Sequence, residues 1–447
     1  MFRRKIIDYL KNWEKKEGRK PLILRGARQV GKTSAVLFFA KENFKDLIHI
    51  NLEKPEHARL FKNEISLEEF EKILQIKFQK KIIPGKTLLF IDEIQNSPAL
   101  IKLLRFFYEE RPEIHVIGAG SLLEAKLKKD GLSLPVGRIE FAWLYPLDFF
   151  EYLEAKGEKE TLEYLKKVSL KEKIPQALHQ TFLELFYEYA MLGGMPEIIK
   201  TFIQKKDFEK LKNIYSSLFT SYLEDVYKYS SSAKTKYLNY IIEQAPLYAG
   251  SAITYEKFGG SNFRSREMTE AFDLLEKVML IHQIRGTKSL GLPLISQRKK
   301  APKLIFLDIG LVNYQMGIQG EFLGLKDLNE FYQGRIAEQI VGQGLISNFI
   351  NFPPKIFYWY KDKPQSSAEV DFCLVHQGKI LPIEVKSGKT GRLKSLFEFI
   401  KITRNKRAIR IYSGELVEEK IKIKDIDFTL ISLPFYLLPR VLEFGEK

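Results

Sequence analysis

One cysteine, Cys373, stands in a chain of 447 residues. A lone thiol leaves no partner for an internal disulfide, and a zinc site built on several cysteines is excluded with it. Stability must come from packing, and the usage fits a reducing compartment such as the cytoplasm. Apolar runs of about 18 residues, the length a membrane helix needs, are also missing. The opening MFRRKIIDYLKNWEKKEGRK is basic, but Asp8, Lys11 and Glu14 interrupt its apolar positions. It predicts an amphipathic helix and not a secretory leader. The six histidines, at 49, 57, 115, 179, 282 and 376, show no metal-ligand spacing. His49 and His115 lie in strand-like apolar segments and are expected to be core residues with satisfied rings.

Basic residues are plentiful: 72 Lys and Arg against 56 Asp and Glu give a formal charge of +16 and a pI near 9.4. Cations that neutralise phosphates release counter-ions and gain affinity, so a polyanion, DNA above all, is the expected partner. A solvated Lys-rich surface is the plain alternative. With 45% hydrophobic residues the chain can build sizeable cores, and its length suggests roughly three domains.

The apolar stretch Pro21 to Leu24 runs into Gly26 to Thr33, which matches G-x-x-x-x-G-K-[ST], and SAVLFFAKENF continues at helical spacing. Strand, loop and helix stand in the order a phosphate-binding loop requires. Gly26 and Gly31 let the backbone of Ala27, Arg28, Gln29 and Val30 approach phosphates, with Ser34 opening the helix behind them. Lys32 is placed to hold β and γ phosphates and Thr33 to ligate Mg²⁺, so ATP and Mg²⁺ are the expected cofactors. KTLLFIDEIQN then ends a buried strand in Asp92 and Glu93. Asp92 is expected to hold the metal through water and Glu93 to act on the attacking water.

These segments, with GAGSLLEA, PVGRIEFAWLYPLDFFEYL and the later LGGMPE (Leu192 to Glu197), resemble the prokaryotic AAA+ ATPases that carry a C-terminal restriction-endonuclease-like domain. The resemblance covers nearly the whole chain. It implies an α/β fold: a P-loop parallel-sheet core at 1–150, a helical lid at 151–235, a winged helix at 236–315 and an α/β nuclease-like domain at 316–447. It also places Ser121 as a polar sensor of the γ phosphate and makes Arg138, after Gly137, a phosphate-sensing or finger arginine. Arg138 suits a surface ion pair equally well, and a Ser at a strand end such as Ser121 also serves as a helix cap. A homo-oligomer or a protein partner fits the same reading.

The order YLNYIIEQAP, YEKFGG, SREMTEAFDLLEKVML, IHQIRG, PKLIFLDIGLV suggests the winged helix independently. Arg264 and Arg266 open its third helix, and Arg298, Lys299 and Lys300 fall in the wing. These residues suit DNA phosphate, or the module packs only on protein.

AEVDFCLVHQGKILPIEVKSG reads as a hairpin centred between Gln377 and Gly378, so Asp371 faces Glu384 and Glu369 faces Lys386. Strict alternation puts these four on one side and Val370, Phe372, Leu374, Ile383 and Val385 on the other. Opposed acids destabilise a sheet unless a cation lies between them. The pattern resembles the PD-(D/E)XK nuclease core, although Val370 stands where the Pro is expected. That resemblance implies Mg²⁺ on Asp371, Glu384 and Glu338, with Lys386 assisting phosphodiester hydrolysis. An ion network on a silent sheet is the alternative. The segment LKSLFEFIKITRNKRAIRIYSG adds Lys394, Lys401, Arg404, Lys406, Arg407 and Arg410 as a phosphate-tracking surface or a solvated basic face.

Overall fold

The computed structural model describes residues 1–121, 123, 126–127, 131, 133–229, 232–318, 334–361, 368–388 and 392–446. Of the motif GAGSLLEA, Leu122, Glu124 and Ala125 lie outside the described residues.

Five strands, β1 (Leu22–Arg25), β2 (Asp46–Asn51), β3 (Thr87–Asp92), β4 (His115–Gly120) and β5 (Glu140–Trp143), form a sheet in the order β2-β3-β4-β1-β5. Every pair is parallel. Strands β3 and β4 are buried at each position, as continuous apolar text requires of a sheet covered on both faces. Helices α1 (Ile6–Glu14) and α2 (Lys32–Asn43) share one apolar cluster with Leu22, Leu24, Leu88 and Phe90. On the other face α3 (Pro55–Leu60), α4 (Leu67–Lys77) and α5 (Pro98–Glu110) pack with Ile23, Leu89 and Ile91. Ser66 and Glu69 close a capping box at the start of α4, and the Ser97 hydroxyl caps α5.

A helical stretch follows: α6 (Phe149–Lys156), α7 (Lys159–Lys167), α8 (Gln176–Leu192), α9 (Pro196–Lys205) and α10 (Phe208–Tyr229). LGGMPE makes the turn between α8 and α9, with Gly193 at a φ of 72°. Next come α11 (Ser232–Gln244), a 3₁₀ turn at Phe258–Gly260, α12 (Ser265–Lys277), and the antiparallel strands β6 (Ile281–Thr287) and β7 (Lys303–Phe306). This is the order of elements read from the sequence.

After α13 (Ile309–Gln315) the chain forms α14 (Gly334–Ser347), β8 (Ile356–Lys361), β9 (Ala368–His376), β10 (Lys379–Val385) and α15 (Lys394–Thr403). It closes with β11 (Arg407–Tyr412), β12 (Val417–Ile423), β13 (Ile426–Pro434) and α16 (Val441–Glu446). The second sheet has eight strands in the order β12-β13-β11-β10-β9-β8-β6-β7. Strand β6 pairs in parallel with β8 through Arg285–Thr287 and Phe357–Trp359, so hydrogen bonds cross the division expected at 315/316. Strand β7 satisfies only one edge of β6, and pairing with β8 satisfies the other. A single apolar cluster runs from Ile6 to Phe444. The Trp143 amide at the edge of the first sheet also donates to the Ile350 carbonyl at 2.7 Å.

The hairpin of β9 and β10 has the expected register, from Lys379 opposite His376 to Ile383 opposite Phe372. Gln377 and Gly378 both take positive φ, 48° and 71°, which suits a two-residue turn. Its faces depart from strict alternation. Between β8 and β9 the register shifts, so Asp371 and Phe372 together oppose Tyr358. Such a bulge displaces every later side chain to the other face. Val370 accordingly packs with Trp359 and Cys373, not with Phe372, Leu374, Ile383 and Val385 as alternation alone predicts.

Candidate functional site

The loop between β1 and α2 lies at the carboxyl ends of adjacent parallel strands β1, β4 and β3. Gly26 is required by contact: a Cβ there would stand 2.4 Å from the Leu144 carbonyl oxygen. Gln29 and Gly31 take positive φ, 64° and 96°, while Ala27 and Val30 are buried beneath the loop. Ser34 is exposed after Thr33. The buried Lys32 ammonium donates to the carbonyls of Gly26 (3.0 Å) and Ala27 (2.9 Å), so the loop wraps its own cation. Burial lowers the Lys32 pKa, and the nearby Glu93 and Asp92 oppose that effect.

Thr33 and Asp92, 59 positions apart, meet at this point: the Thr33 hydroxyl donates to Asp92 Oδ2 at 2.8 Å. A hydroxyl beside a buried carboxylate is a donor set that fits Mg²⁺ bound to a nucleotide. Glu93 follows in the left-handed region, with a φ of 52°, and burial raises its pKa while Lys32 and Gln95 pull it down. The Gln95 amide donates to Glu93 Oε2, and a Cβ on Gly120 would fall 2.2 Å from Gln95 Oε1. Gln95 is therefore clamped between the end of β4 and the carboxylate. Ser121, half-buried, is the next residue after that end. Replacing Gln95 with alanine frees Glu93 to rotate. Steady-state kinetics are expected to show kcat down about tenfold with KM for ATP unchanged, and an unaltered kcat would contradict the clamp.

Residues that the sequence did not single out hold the loop from both sides. Arg4 donates to the carbonyls of Val30 (2.9 Å) and Tyr145 (2.6 Å), and its Nε stands 3.0 Å from Glu151. From α10, Asp225 accepts from Arg28, Ser221 from Gln29 at 3.5 Å, and the Tyr222 hydroxyl donates to the Arg28 carbonyl at 3.5 Å. Pro196 of LGGMPE lies against Gly31, where an added Cβ would meet it at 3.5 Å. Arg138 is not brought to the loop by these contacts: its Nε pairs with Glu109 at 2.8 Å, on the outer end of α5. His49 is no satisfied core residue. Its ring stacks on Phe90 with centroids 4.8 Å apart, and Nε2, without a hydrogen bond, stands 3.6 Å from Asp92 Oδ2.

Residues 18–153 match the family model described as an AAA domain. By this match the N-terminal part of the chain is similar to AAA domains. Residues 183–321 and 333–436 match two models described as domains of unknown function, DUF8612 and DUF4143. None of the curated proteins matches the chain. Similar solved structures include a Walker-type ATPase of Pyrococcus abyssi, 17% identical, covering 71% of this chain and 96% of that one, with a TM-score of 0.44. The RuvB Holliday junction branch migration motor of Thermotoga maritima is 17% identical over 66% of this chain and 91% of its own, with a TM-score of 0.26. The Orc1 protein of Aeropyrum pernix, solved in complex with DNA, is 11% identical over 72% and 92%, with a TM-score of 0.26. Among the described residues, no helix is long and apolar enough to cross a membrane.

Beyond the AAA domain, a second group of acids gathers where β7, β9 and α14 meet, around a cation of the chain itself. Lys303 Nζ lies 2.7 Å from Glu338, 2.8 Å from Glu369 and 3.4 Å from Asp371. Its side chain is only 4% exposed. Burial works against the charge, but Asp371, Glu338 and Glu369 outweigh it and hold the ammonium protonated well above the usual lysine range. Asp371 Oδ2 also accepts from the Val385 amide at 2.8 Å. Glu384 pairs with Lys386 at 2.7 Å, and its other oxygen is buried without a hydrogen-bond partner. Burial and the neighbouring Asp371 raise both Glu338 and Glu384 to about 7.

Four carboxylates thus face two ammonium groups, and one buried carboxylate oxygen is orphaned. That donor set has the chemistry for a divalent cation. Its present spacing differs from the cage expected of Glu338, Asp371 and Glu384. Among the described residues no three acidic, histidine or cysteine side chains converge closely enough to hold a metal. Lys303 fills the space between two of the expected donors.

Proposed function

We propose that the chain is a DNA-directed ATPase, in which nucleotide turnover in the AAA domain controls how the basic helix–strand module and the C-terminal sheet engage DNA. The observation that carries the catalytic part is the convergence of Lys32, Thr33, Asp92 and Glu93 at the ends of β1 and β3. In this reading Lys32 leaves the carbonyls of Gly26 and Ala27 for the β and γ phosphates. Amides of 27–34 face the phosphate oxygens. Thr33 and Asp92 would hold Mg²⁺, which when bound neutralises charge on the transferred phosphoryl group. Glu93 accepts the proton of the attacking water, and Ser121 reports on the γ position. Arg28 is positioned to exchange Asp225 for phosphate, which would transmit nucleotide state to α10.

The DNA part rests on charge placement. Residues 232–306 have the element order of a winged helix, and Arg264, Arg266, Arg298 and Lys299 are all exposed on it. Asp371, Glu384 and Glu338 of the C-terminal domain would hold a divalent cation that polarises a phosphodiester, with Lys386 beside them. Reversing Arg264, Arg266, Arg298 and Lys299 to glutamate is expected to weaken duplex binding at least about 100-fold. The slope of affinity against salt should flatten by about one for each phosphate that is no longer neutralised. Fluorescence anisotropy across a salt series measures both. Binding that keeps its affinity and slope would remove this module from the DNA interface.

A further inference from the structure

Lys303 is the least explained charge in the molecule. It sits on a strand of only four residues at one end of the eight-stranded sheet. It is inserted among acids 35, 66 and 68 positions away, and its ammonium also lies 5.4 Å and 5.8 Å from the ring centroids of Tyr358 and Phe372. An ammonium desolvated to this degree is stable only while its carboxylates surround it. Two of these three carboxylates, Glu338 and Asp371, are among the three donors that the C-terminal cation reading requires.

We propose that Lys303 is a tethered counter-ion that competes with a divalent cation for Glu338 and Asp371, so a cation is taken up there only when this ammonium is displaced. The inference rests on the reading of Glu338, Asp371 and Glu384 as cation donors. Strand β7 itself is buried at every position and firmly held: four residue pairs join it to β6, a bridge joins it to Ala252, Leu304 exchanges backbone hydrogen bonds with Gly250 and Ser251, and the Gln339 side chain bonds both backbone groups of Phe306. The part that moves is therefore the Lys303 side chain, whose flexible stem can carry the ammonium off Glu338 and Asp371 while the strand stays in place.

The test is Mn²⁺ binding, followed by the electron paramagnetic resonance of the free ion, on nucleotide-free full-length protein carrying Asp92→Asn to silence the loop site. Lys303→Met is expected to bind one Mn²⁺ at least about tenfold more tightly than the Lys303 parent. Lys303→Arg should behave as the parent, and adding Asp371→Asn should abolish the gain. Lys303→Gln removes the charge but keeps a donor for Glu338, and serves where the methionine variant does not fold. Equal or weaker Mn²⁺ affinity in the neutral variants overturns the competition. Folded variants that all take up no Mn²⁺ overturn instead the cation-site reading beneath it.

Discussion

Glu93→Gln is expected to lower ATP turnover by about 1,000-fold while ATP still binds, because glutamine fills the same space and accepts no proton. Glu93 stands beside Asp92, which takes the Thr33 hydroxyl, and is itself oriented by Gln95. Its pKa lies above the ordinary glutamate range through burial. A base acts only when deprotonated, so the acid limb of the wild-type rate profile should lie above that range and vanish with the glutamine variant's residual activity. Phosphate release measures turnover, and a fluorescent ATP analogue measures binding. Turnover within a factor of ten of wild type would assign the base elsewhere.

The largest stability effect is expected at Asp308, a fully buried carboxylate that ties three parts of the chain together. It accepts from the amides of Gly194 (2.6 Å), Gly310 (2.9 Å) and Leu311 (3.3 Å), and from the Gln343 side chain at 3.3 Å. The turn of LGGMPE, the start of α13 and the middle of α14 share this one group. Gly193 is glycine partly for its sake, since a Cβ there would lie 2.1 Å from Asp308 Oδ1. Asp308→Ala orphans several buried donors at about 1–3 kcal/mol each, less than additively, for a loss on the order of 4 kcal/mol. Thermal melting should fall by roughly 8 °C or more; a shift under about 2 °C would contradict this role. The pH dependence has a defined sign. Burial raises Asp308 to about 6 against its hydrogen bonds, above the unfolded value of about 4. The folded state binds the extra proton between these values, so wild-type stability falls as pH rises from about 4 to 6. Asp308→Asn should lack that slope.

What could be read from the text alone follows from how local each determinant is. The nucleotide loop is contiguous, and its glycines, lysine and threonine name themselves. Asp92 and Glu93 end an apolar strand, and the sheet brings Asp92 to Thr33 as that pattern requires. The hairpin register was legible because a two-residue turn fixes it. The bulge at Asp371–Phe372 was not, because it depends on the partner strand β8, which lies outside the hairpin. Arg4, Asp225 and Lys303 act across 26, 197 and 35 or more positions, and nothing in their own neighbourhoods marks them. Asp308 could have been suspected from its place after PKLIFL, an acid closing an apolar strand and preceding Gly310. Gln95 had the signal of a polar side chain two residues after Glu93. Arg138 makes the surface ion pair that its sequence context offered beside the finger reading, on a carboxylate at the end of α5.

Calorimetric titration of the wild-type chain and of Lys32→Ala with ATP and Mg²⁺ asks most directly whether the loop at 26–33 is the nucleotide site. One ATP per wild-type chain, and loss of at least about 100-fold in affinity when the Lys32 ammonium is removed, is the predicted result. Uptake by the alanine variant with unchanged stoichiometry and affinity would place the nucleotide elsewhere and contradict the account.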